Sequence, residues 1–408
     1  MTLYEELEWR GLIQDISSKD LIDKLNAGGM TFYIGTDPTA DSLHLGHYSS
    51  FLITRRLAKA GHTPIILVGA ATGLIGDPRG TTERALSDRD TVFKNYEALK
   101  AQVQKFFPYE VVNNYDWVKD IHIIDFFRDY GKYINVNYML NKDLVRRQME
   151  TGISYAEFSY MLIQGLDFKW LHEHKGVDLQ VAGSDQWGNI TTGIELIRKT
   201  TGEEVYAMTM PLVTDANGNK FGKSEGNAVW IDKNKTSSYE LYQFLLNSED
   251  AVVIDYLKKL TFLDRETIEQ IEKEHFAAPE KRMAQKRLAK EILDDLHGEG
   301  AFEEAEKISE LMFKGDVKHI PVRDLLSALS QVPHFEAKKG KLIDILVEAK
   351  VFPSKREVRE MAKNNALTVN GDIVTAPDET DVDSDNLIDG KYLIVRRGKK
   401  KYFVGEIK

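Results

Sequence analysis

Two short runs carry residue types suited to phosphate chemistry. In HLGH, His44 to His47, two imidazoles stand three apart around a leucine and Gly46. The longer run YIGTDPTADSLHLGH, Tyr33 to His47, reads as a strand ending at Gly35, a turn through Asp37 and Pro38, and a helix opening at HLGH. A helix N-terminus presents free N–H groups and the positive end of its dipole, which favours phosphate. Gly46 has no side chain, so a flat base can lie against the backbone there. Imidazoles at that end can hold a phosphate whose charge grows in a transition state. A metal pair is a rival reading of the same spacing. It lacks a third strong ligand at recognisable spacing, and the chain has no cysteine. A purely structural role for both histidines is a further alternative.

The second run, NGNKFGKSEGNAVW, Asn217 to Trp230, sets Lys220, Lys223 and Ser224 among glycines. A glycine-rich loop with fixed positive charges is a good polyphosphate clamp. The GxxxxGK[ST] spacing of a P-loop is absent, and a basic β-hairpin looks similar. A third feature is a polar stripe in the apolar run SYMLIQGLD, Ser159 to Asp167. On a helix, Tyr160, Gln164 and Asp167 fall at about 0°, 40° and −20°, one face. Such a stripe costs free energy unless something satisfies it, either neighbouring backbone or a polar ligand. ATGLIGDPRG (71–80) and GSDQWGN (183–189) each follow a strand-like run. Open α/β sheets bind ligands just past strand C-terminal ends. Asp77, Asp185 and Gln186 are therefore expected to point into a crevice, although turn-forming or capping roles suit each of them equally.

These residues need a scaffold. TFYIG (31–35), PIILVG (64–69), VDLQVAG (177–183) and VYAMTMPLV (205–213) read as strands, with helices at about 47–60 and 189–199. Strands alternating with helices imply an α/β, doubly wound parallel-sheet (Rossmann-like) domain. Residues 1–27 read as amphipathic helix. From Ser237 the pattern is helical, with Pro279 in a first turn and Arg282, Lys286 and Lys290 spaced along one basic face. The stretch 318–341 mixes Pro, Gly and charge and reads as a joint. A compact αβ module follows, built on 341–371. The 408 residues, 42% apolar and 29% charged, suit two or three soluble domains. No apolar run is long enough for a membrane span, and the acidic start MTLYEELEWRGL is not a secretory signal. With no cysteines, disulfides and thiol nucleophiles are excluded, and cytoplasm is the natural compartment. The net charge is −10, yet residues 336–408 carry 15 Lys/Arg against 13 Asp/Glu, so the excess negative charge lies before them. A basic patch on an acidic protein suits a selective polyanion partner.

HLGH and KFGKS, in this order, resemble the paired signatures of class I aminoacyl-tRNA synthetases. YIGTDPTADSLHLGH, GLIGDP, NNYDW, GISYAEFSYMLIQGLDF, GSDQWGNIT and KFGKSEG together resemble bacterial tyrosyl-tRNA synthetases over the whole chain, and the C-terminal module resembles their S-four-like RNA-binding domain. The resemblance implies a Rossmann-like catalytic domain over 1–232 with a dimer-forming insertion near 110–150. It implies an all-α tRNA-binding domain over 233–330 and a small α+β S-four-like RNA-binding domain over 340–408. It also implies a homodimer that activates L-tyrosine with ATP and Mg²⁺ and passes the tyrosyl group to the 3′ end of its tRNA. Thr39, His44, His47, Lys220, Lys223 and Ser224 would stabilise the leaving pyrophosphate. Asp167 and Tyr33 would bond the substrate phenol. Tyr160, Gln164 and Asp77 would surround its amine, and Gln186 its carboxylate. Gly35, Asp37, Gly46 and Asp185 would place ATP. Lys355, Arg356, Arg359 and the cluster Arg396 to Lys401, with the basic helix face, are candidate contacts to tRNA. Three positions depart from the family pattern. GDPRGTTER has Thr81 and Thr82 where a lysine is common, leaving Arg79 or Arg84 to supply that charge; Thr36 replaces a phenylalanine and Ala182 a glycine. Three rivals share part of the pattern. The tryptophanyl enzyme would need an indole site, a non-catalytic RNA-binding paralogue would not need HLGH and KFGKS, and a small-molecule nucleotidylyltransferase would not need the C-terminal module.

Overall fold

The structure, a computed structural model, describes residues 1–77, 88–140, 145–146, 149, 152–224, 227–330, 332–398 and 401–408, with backbone alone at 223, 224 and 227. The chain forms two compact units, Met1–Lys235 with Ser248–Leu288, and Thr236–Asn247 with Ala289–Lys408.

The first unit is built on strands β1 Asp15–Ile16, β2 Thr31–Thr36, β3 Thr63–Val68, β4 Glu110–Val112, β5 Val177–Gly183 and β6 Tyr206–Met210. They lie in the order β1-β6-β5-β2-β3-β4. β2 to β6 are parallel, and β1 is antiparallel to β6. The inner strands are apolar on both sides because helices cover both faces of such a sheet. β2 has β3 on one flank and β5 on the other, so the winding reverses there. Ligands bind at the strand C-termini beside that reversal.

Residues 1–27 are not one helix. Gly11 takes a left-handed φ of 67°, and the chain runs as a helix Leu3–Trp9, then β1, then a helix Asp20–Ala27. The edge pairing of β1 outweighs its helical pattern, and the Thr209 hydroxyl donates to Asp15 Oδ2 at 2.8 Å across it. Amphipathic spacing alone did not reveal that edge strand.

The helix Tyr155–Lys175 leads into β5 and lies against the helix Trp187–Thr201. It starts at a Ser154 cap, whose Oγ accepts from the Glu157 N–H, and stops at left-handed Gly176. The two helices meet at a pair of glycines. A Cβ on Gly165 would lie 3.4 Å from Gly193 backbone, and one on Gly193 would lie 3.0 Å from Phe168 Cδ1. That close approach fixes where the polar stripe of the longer helix sits. The segment after β4 forms short helical turns across 115–140, with Ile123 68% and Ile124 70% exposed.

The hairpin strands β7 Lys223–Ser224 and β8 Asn227–Ala228 belong to the same unit. Pro279 lies in a separate 3-10 turn, and the helix begins only at Met283. Arg282 takes φ 55° and donates to Asp250 Oδ1 at 3.1 Å and to the Ser248 carbonyl at 2.7 Å. It is therefore outside the helix whose basic face it was expected to start.

In the second unit, β9 His334–Ala337, β11 Leu367–Val369, β12 Asp372–Ile373, β14 Tyr392–Arg397 and β15 Lys401–Ile407 form one sheet, and β10 Gly340–Lys341 pairs with β13 Asp381–Val382. The stretch expected as a joint holds the helix Val322–Ala328 and β9, which runs parallel to β15. Ile308, Val317 and Leu325 share a core with Ile394 and Val404, so this stretch is packed. Lys290 pairs with Asp294 and Glu303, Lys355 with Asp344 and Arg359 with Asp378. Lys399 and Lys400 lie outside the described residues.

Candidate active site

At the C-terminal ends of β2, β3 and β5, two hydrogen-bonded chains converge. The first starts at Asp167, buried on the Tyr155–Lys175 helix. Its Oδ2 accepts from Asn114 Nδ2 and its Oδ1 from Trp117 Nε1, each at 2.9 Å. Asn114 Nδ2 also reaches Thr72 Oγ1 at 3.0 Å, Thr72 donates to Asp37 Oδ1 at 2.7 Å, and Tyr160 donates to Asp37 Oδ2 at 3.0 Å. In the second chain Asp77 accepts from Gln186 Nε2 at 2.9 Å and from Asn189 Nδ2 at 3.3 Å. Asn189 Nδ2 also approaches Gln164 Oε1 and Gln186 Oε1, both at 3.0 Å. Tyr160, Gln164 and Asp167 thus all face inward, as their spacing predicts.

Two polar atoms in this region are buried with no partner among the described residues. One is the Tyr33 hydroxyl and the other is Gln180 Oε1. Tyr33 and Gln180 are register partners on β2 and β5. Buried polar groups are nearly always satisfied, so such atoms call for a bound water or a ligand.

The electrostatics point the same way. Burial pushes the Asp167 carboxyl up to about 7, against the pull of its Asn114 and Trp117 bonds. Burial also lifts Asp77 to about 6, with Asp37 and Asp185 adding repulsion. Tyr33 is held well above the ordinary phenol value by burial and by Asp167. Tyr160 is held there by burial, then by Asp37 and Asp77. A cluster of carboxylates this short of solvent stabilises a cation placed among them.

A second end, with the positive pole of a helix dipole, lies at the start of the helix Leu45–Lys59. His44 caps it, its Nδ1 accepting from the Gly46 N–H at 3.0 Å, while His47 Nδ1 accepts from the His44 N–H at 3.3 Å. The rings stack at 3.9 Å. With Nδ1 accepting, each neutral ring carries its proton on Nε2, a donor suited to phosphate oxygen. Burial, then His44, lowers His47 to about 3, so its ring is neutral at physiological pH.

The KFGKS loop is sewn to this helix start. Leu45 N–H donates to the Val229 carbonyl at 2.9 Å and Ile231 N–H to that of Leu43 at 3.0 Å. Gly222, at φ 85°, packs on Gly46, where an added Cβ would come within 2.8 Å of the Gly46 nitrogen. Lys220 Nζ lies 3.5 Å from Asp185 Oδ2. Gly35 and Thr39 are exposed at the end of β2 and in the loop beyond it, where the Thr39 N–H donates to the Asp37 carbonyl at 2.8 Å. For Lys223 and Ser224 only the backbone is described. Arg79, Thr81, Thr82 and Arg84 lie outside the described residues.

The family model for class I tRNA synthetases (W and Y) matches residues 25–314, and the model for a tyrosine–tRNA ligase SYY-like C-terminal domain matches 324–405. A tyrosine–tRNA ligase of Streptococcus uberis is 48% identical over 99% of both chains. The chain belongs to the tyrosine–tRNA ligase family of class I synthetases. Tyrosine–tRNA ligase 2 of Streptococcus thermophilus is 63% identical over 73% of this chain and 98% of its own length. Among solved structures, a C-terminally truncated mitochondrial tyrosyl-tRNA synthetase of Aspergillus nidulans superposes with TM-score 0.68 at 30% identity, covering 76% of this chain and 94% of that one.

Four residues of this candidate site were not among those expected from the sequence. Asn114, Trp117, Thr72 and Asn189 supply the hydrogen bonds that orient Asp167, Asp37 and Asp77. The motifs NNYDW and GSDQWGN contain three of them, but only the fold shows which side chains turn inward. As a class I tRNA synthetase the protein uses ATP. Among the described residues, no helix is long and apolar enough to cross a membrane.

Proposed function

We infer that this chain ligates tyrosine to its tRNA, and that the residues above divide the work as follows. The single observation that carries the assignment to tyrosine is the buried, unpartnered hydroxyl of Tyr33, acted on by the Asp167 charge. A substrate phenol between them donates to Asp167 and accepts from Tyr33. Phenylalanine would make neither bond and leave the Tyr33 hydroxyl unpartnered, forgoing the roughly 1–3 kcal/mol that tyrosine gains by satisfying that group. The carboxylates Asp37 and Asp77, with Tyr160 and Gln164, receive the substrate ammonium, and Gln186 holds its carboxylate.

A tyrosine carboxylate oxygen attacks the α-phosphorus of ATP. The bond to the β-phosphate oxygen breaks, and pyrophosphate leaves from tyrosyl-adenylate. A hydroxyl of the terminal adenosine of tRNA then attacks the carbonyl carbon, and AMP leaves. No protein nucleophile is required; positioning and charge stabilisation do the work. His44, His47 and Thr39, with Lys220, Lys223 and Ser224 from the facing loop, stabilise the pyrophosphate as its charge grows. Gly35, Gly46, Asp37 and Asp185 place the adenosine and ribose. Mg²⁺ arrives with ATP as part of the substrate.

The parts 1–232, 233–330 and 340–408 serve as catalytic, helical tRNA-binding and S-four-like RNA-binding domains. Basic side chains at Lys286, Lys355, Arg356 and Lys401 meet the tRNA backbone. Exposed Ile123, Ile124, Phe127 and Val136 support a homodimer formed through the insertion, because such side chains cluster where a partner covers them. The compartment is the cytoplasm.

Amino-acid-dependent ATP–pyrophosphate exchange tests this reading, with tyrosine, phenylalanine and tryptophan run in parallel. Exchange with tyrosine alone is expected. Exchange driven by tryptophan would overturn the phenol site, and a folded protein that exchanges with no amino acid would overturn the ligase.

A further inference from the structure

Asp167, Trp170 and His174 lie at i, i+3 and i+7 of one helix and so share a face. Trp117 comes in from the turn after β4. Its Nε1 donates to Asp167 at 2.9 Å while its ring lies flat on Trp170, with centroids 4.2 Å apart and planes at 9°. The column continues outward. His174 stacks on the far side of the helix turn, 4.4 Å from Trp170 at 10°, and its Nδ1 lies 2.9 Å from the Trp170 carbonyl. Asp167 is buried, whereas Trp170 is part-exposed and His174 is exposed.

We propose that Trp170 is a positioning residue for phenol recognition: it holds the indole plane of Trp117 so that Nε1 stays aimed at Asp167. A single N–H gives a directional bond that weakens steeply with misalignment. A flat aromatic stack fixes the plane of that N–H, which a round aliphatic neighbour would leave free to rock. A freed indole would leave Asp167 with one fixed donor, Asn114, and a less ordered carboxylate to receive the substrate. The proposal rests on the tyrosine reading above, since it concerns the group that reads the phenol.

The test compares Trp170→Ala, Trp170→Leu and Trp170→Phe in pyrophosphate exchange with tyrosine and with phenylalanine. Loss of one charge-assisted bond raises KM for tyrosine by about tenfold, with kcat and the phenylalanine parameters little changed. Leucine, which fills the space without a plane, behaves like alanine, and phenylalanine restores KM to within about twofold of the parent. In a double-mutant cycle, Trp117→Phe with Trp170→Ala is no worse than Trp117→Phe alone. An unchanged KM in folded Trp170→Leu overturns the proposal, as does equal loss with both amino acids or additive effects in the cycle. If Trp170→Ala fails to fold, the leucine–phenylalanine contrast still decides. Absence of tyrosine-driven exchange in the unmutated protein would instead sink the functional reading on which this rests.

Discussion

Tyr33→Phe separates stability from function, because its hydroxyl is buried without a partner while its ring packs 5.6 Å from that of Phe168. Leaving a buried hydroxyl unsatisfied costs the folded state about 1–3 kcal/mol, and removing it keeps the ring contacts. The ligand-free variant is therefore expected to be more stable by about 1 kcal/mol, or roughly 2–4 °C in melting temperature for a unit of this size. In the proposed function the same oxygen donates to the substrate phenol. Its loss lowers kcat/KM for tyrosine by about tenfold, from a hydrogen bond of ordinary net strength. The value for phenylalanine stays the same, so selectivity narrows by that factor. Ionisation plays no part, since burial and Asp167 keep the Tyr33 phenol well above its ordinary value. Urea unfolding with and without saturating tyrosine, together with pyrophosphate exchange, measures both quantities. In the absence of tyrosine the variant should unfold later; with tyrosine the difference shrinks or reverses, because the parent binds it more tightly. A variant that loses stability and keeps its tyrosine preference would refute the reasoning, for the hydroxyl would then be a structural group already bonded within the protein.

Three further outcomes follow from the same geometry. The Asp167 carboxyl is raised from 3.8 to about 7 in the folded protein, so stability is fully present below the ordinary carboxyl range and is lost as pH rises through about 7. The stability advantage of Asp167→Asn should grow across that window, towards a ceiling on the order of a few kcal/mol; a difference that ignores pH would contradict it. Asp77 is raised to about 6, so KM for tyrosine should climb as pH falls below that value and the ammonium loses a charged partner; a flat profile from pH 8 to 5 would argue against Asp77 in that role. Gly46→Ala would place a Cβ 2.8 Å from His44 Cε1 and 3.3 Å from the Phe221 carbonyl. Displacing that ring and the adjoining loop should cut the exchange rate by about a hundredfold in a protein that still folds, and a rate near the parent's would show that the helix start tolerates the shift.

The sequence was most legible where chemistry and period coincide. HLGH announced itself as a helix start, and the structure puts His44 at the N-cap. The spacing of Tyr160, Gln164 and Asp167 placed them on one face, and all three turn inward. The apolar runs gave the parallel strands because a sheet covered on both faces leaves little choice of residue. In residues 1–27 and at Arg282 the local pattern points to helix, but long-range pairing decides the structure. β1 exists only through its bonds to β6, and Arg282 is held by Asp250 and the Ser248 carbonyl, both more than thirty positions away.

By itself the sequence determined the four strands β2, β3, β5 and β6, the helix that bears the polar stripe, and the residue types able to meet phosphate and a polar ligand. Those properties are local: hydrophobic period, capping chemistry and the absence of a side chain at glycine act over a few residues. Tertiary structure alone decided that Gly222 rests against Gly46, joining the HLGH and KFGKS runs, and that Asn114 and Trp117 aim their N–H groups at Asp167. A hydrogen bond between positions 50 or more apart has no period to betray it. It is set by how the helices lie on the sheet, and therefore by the whole packed core.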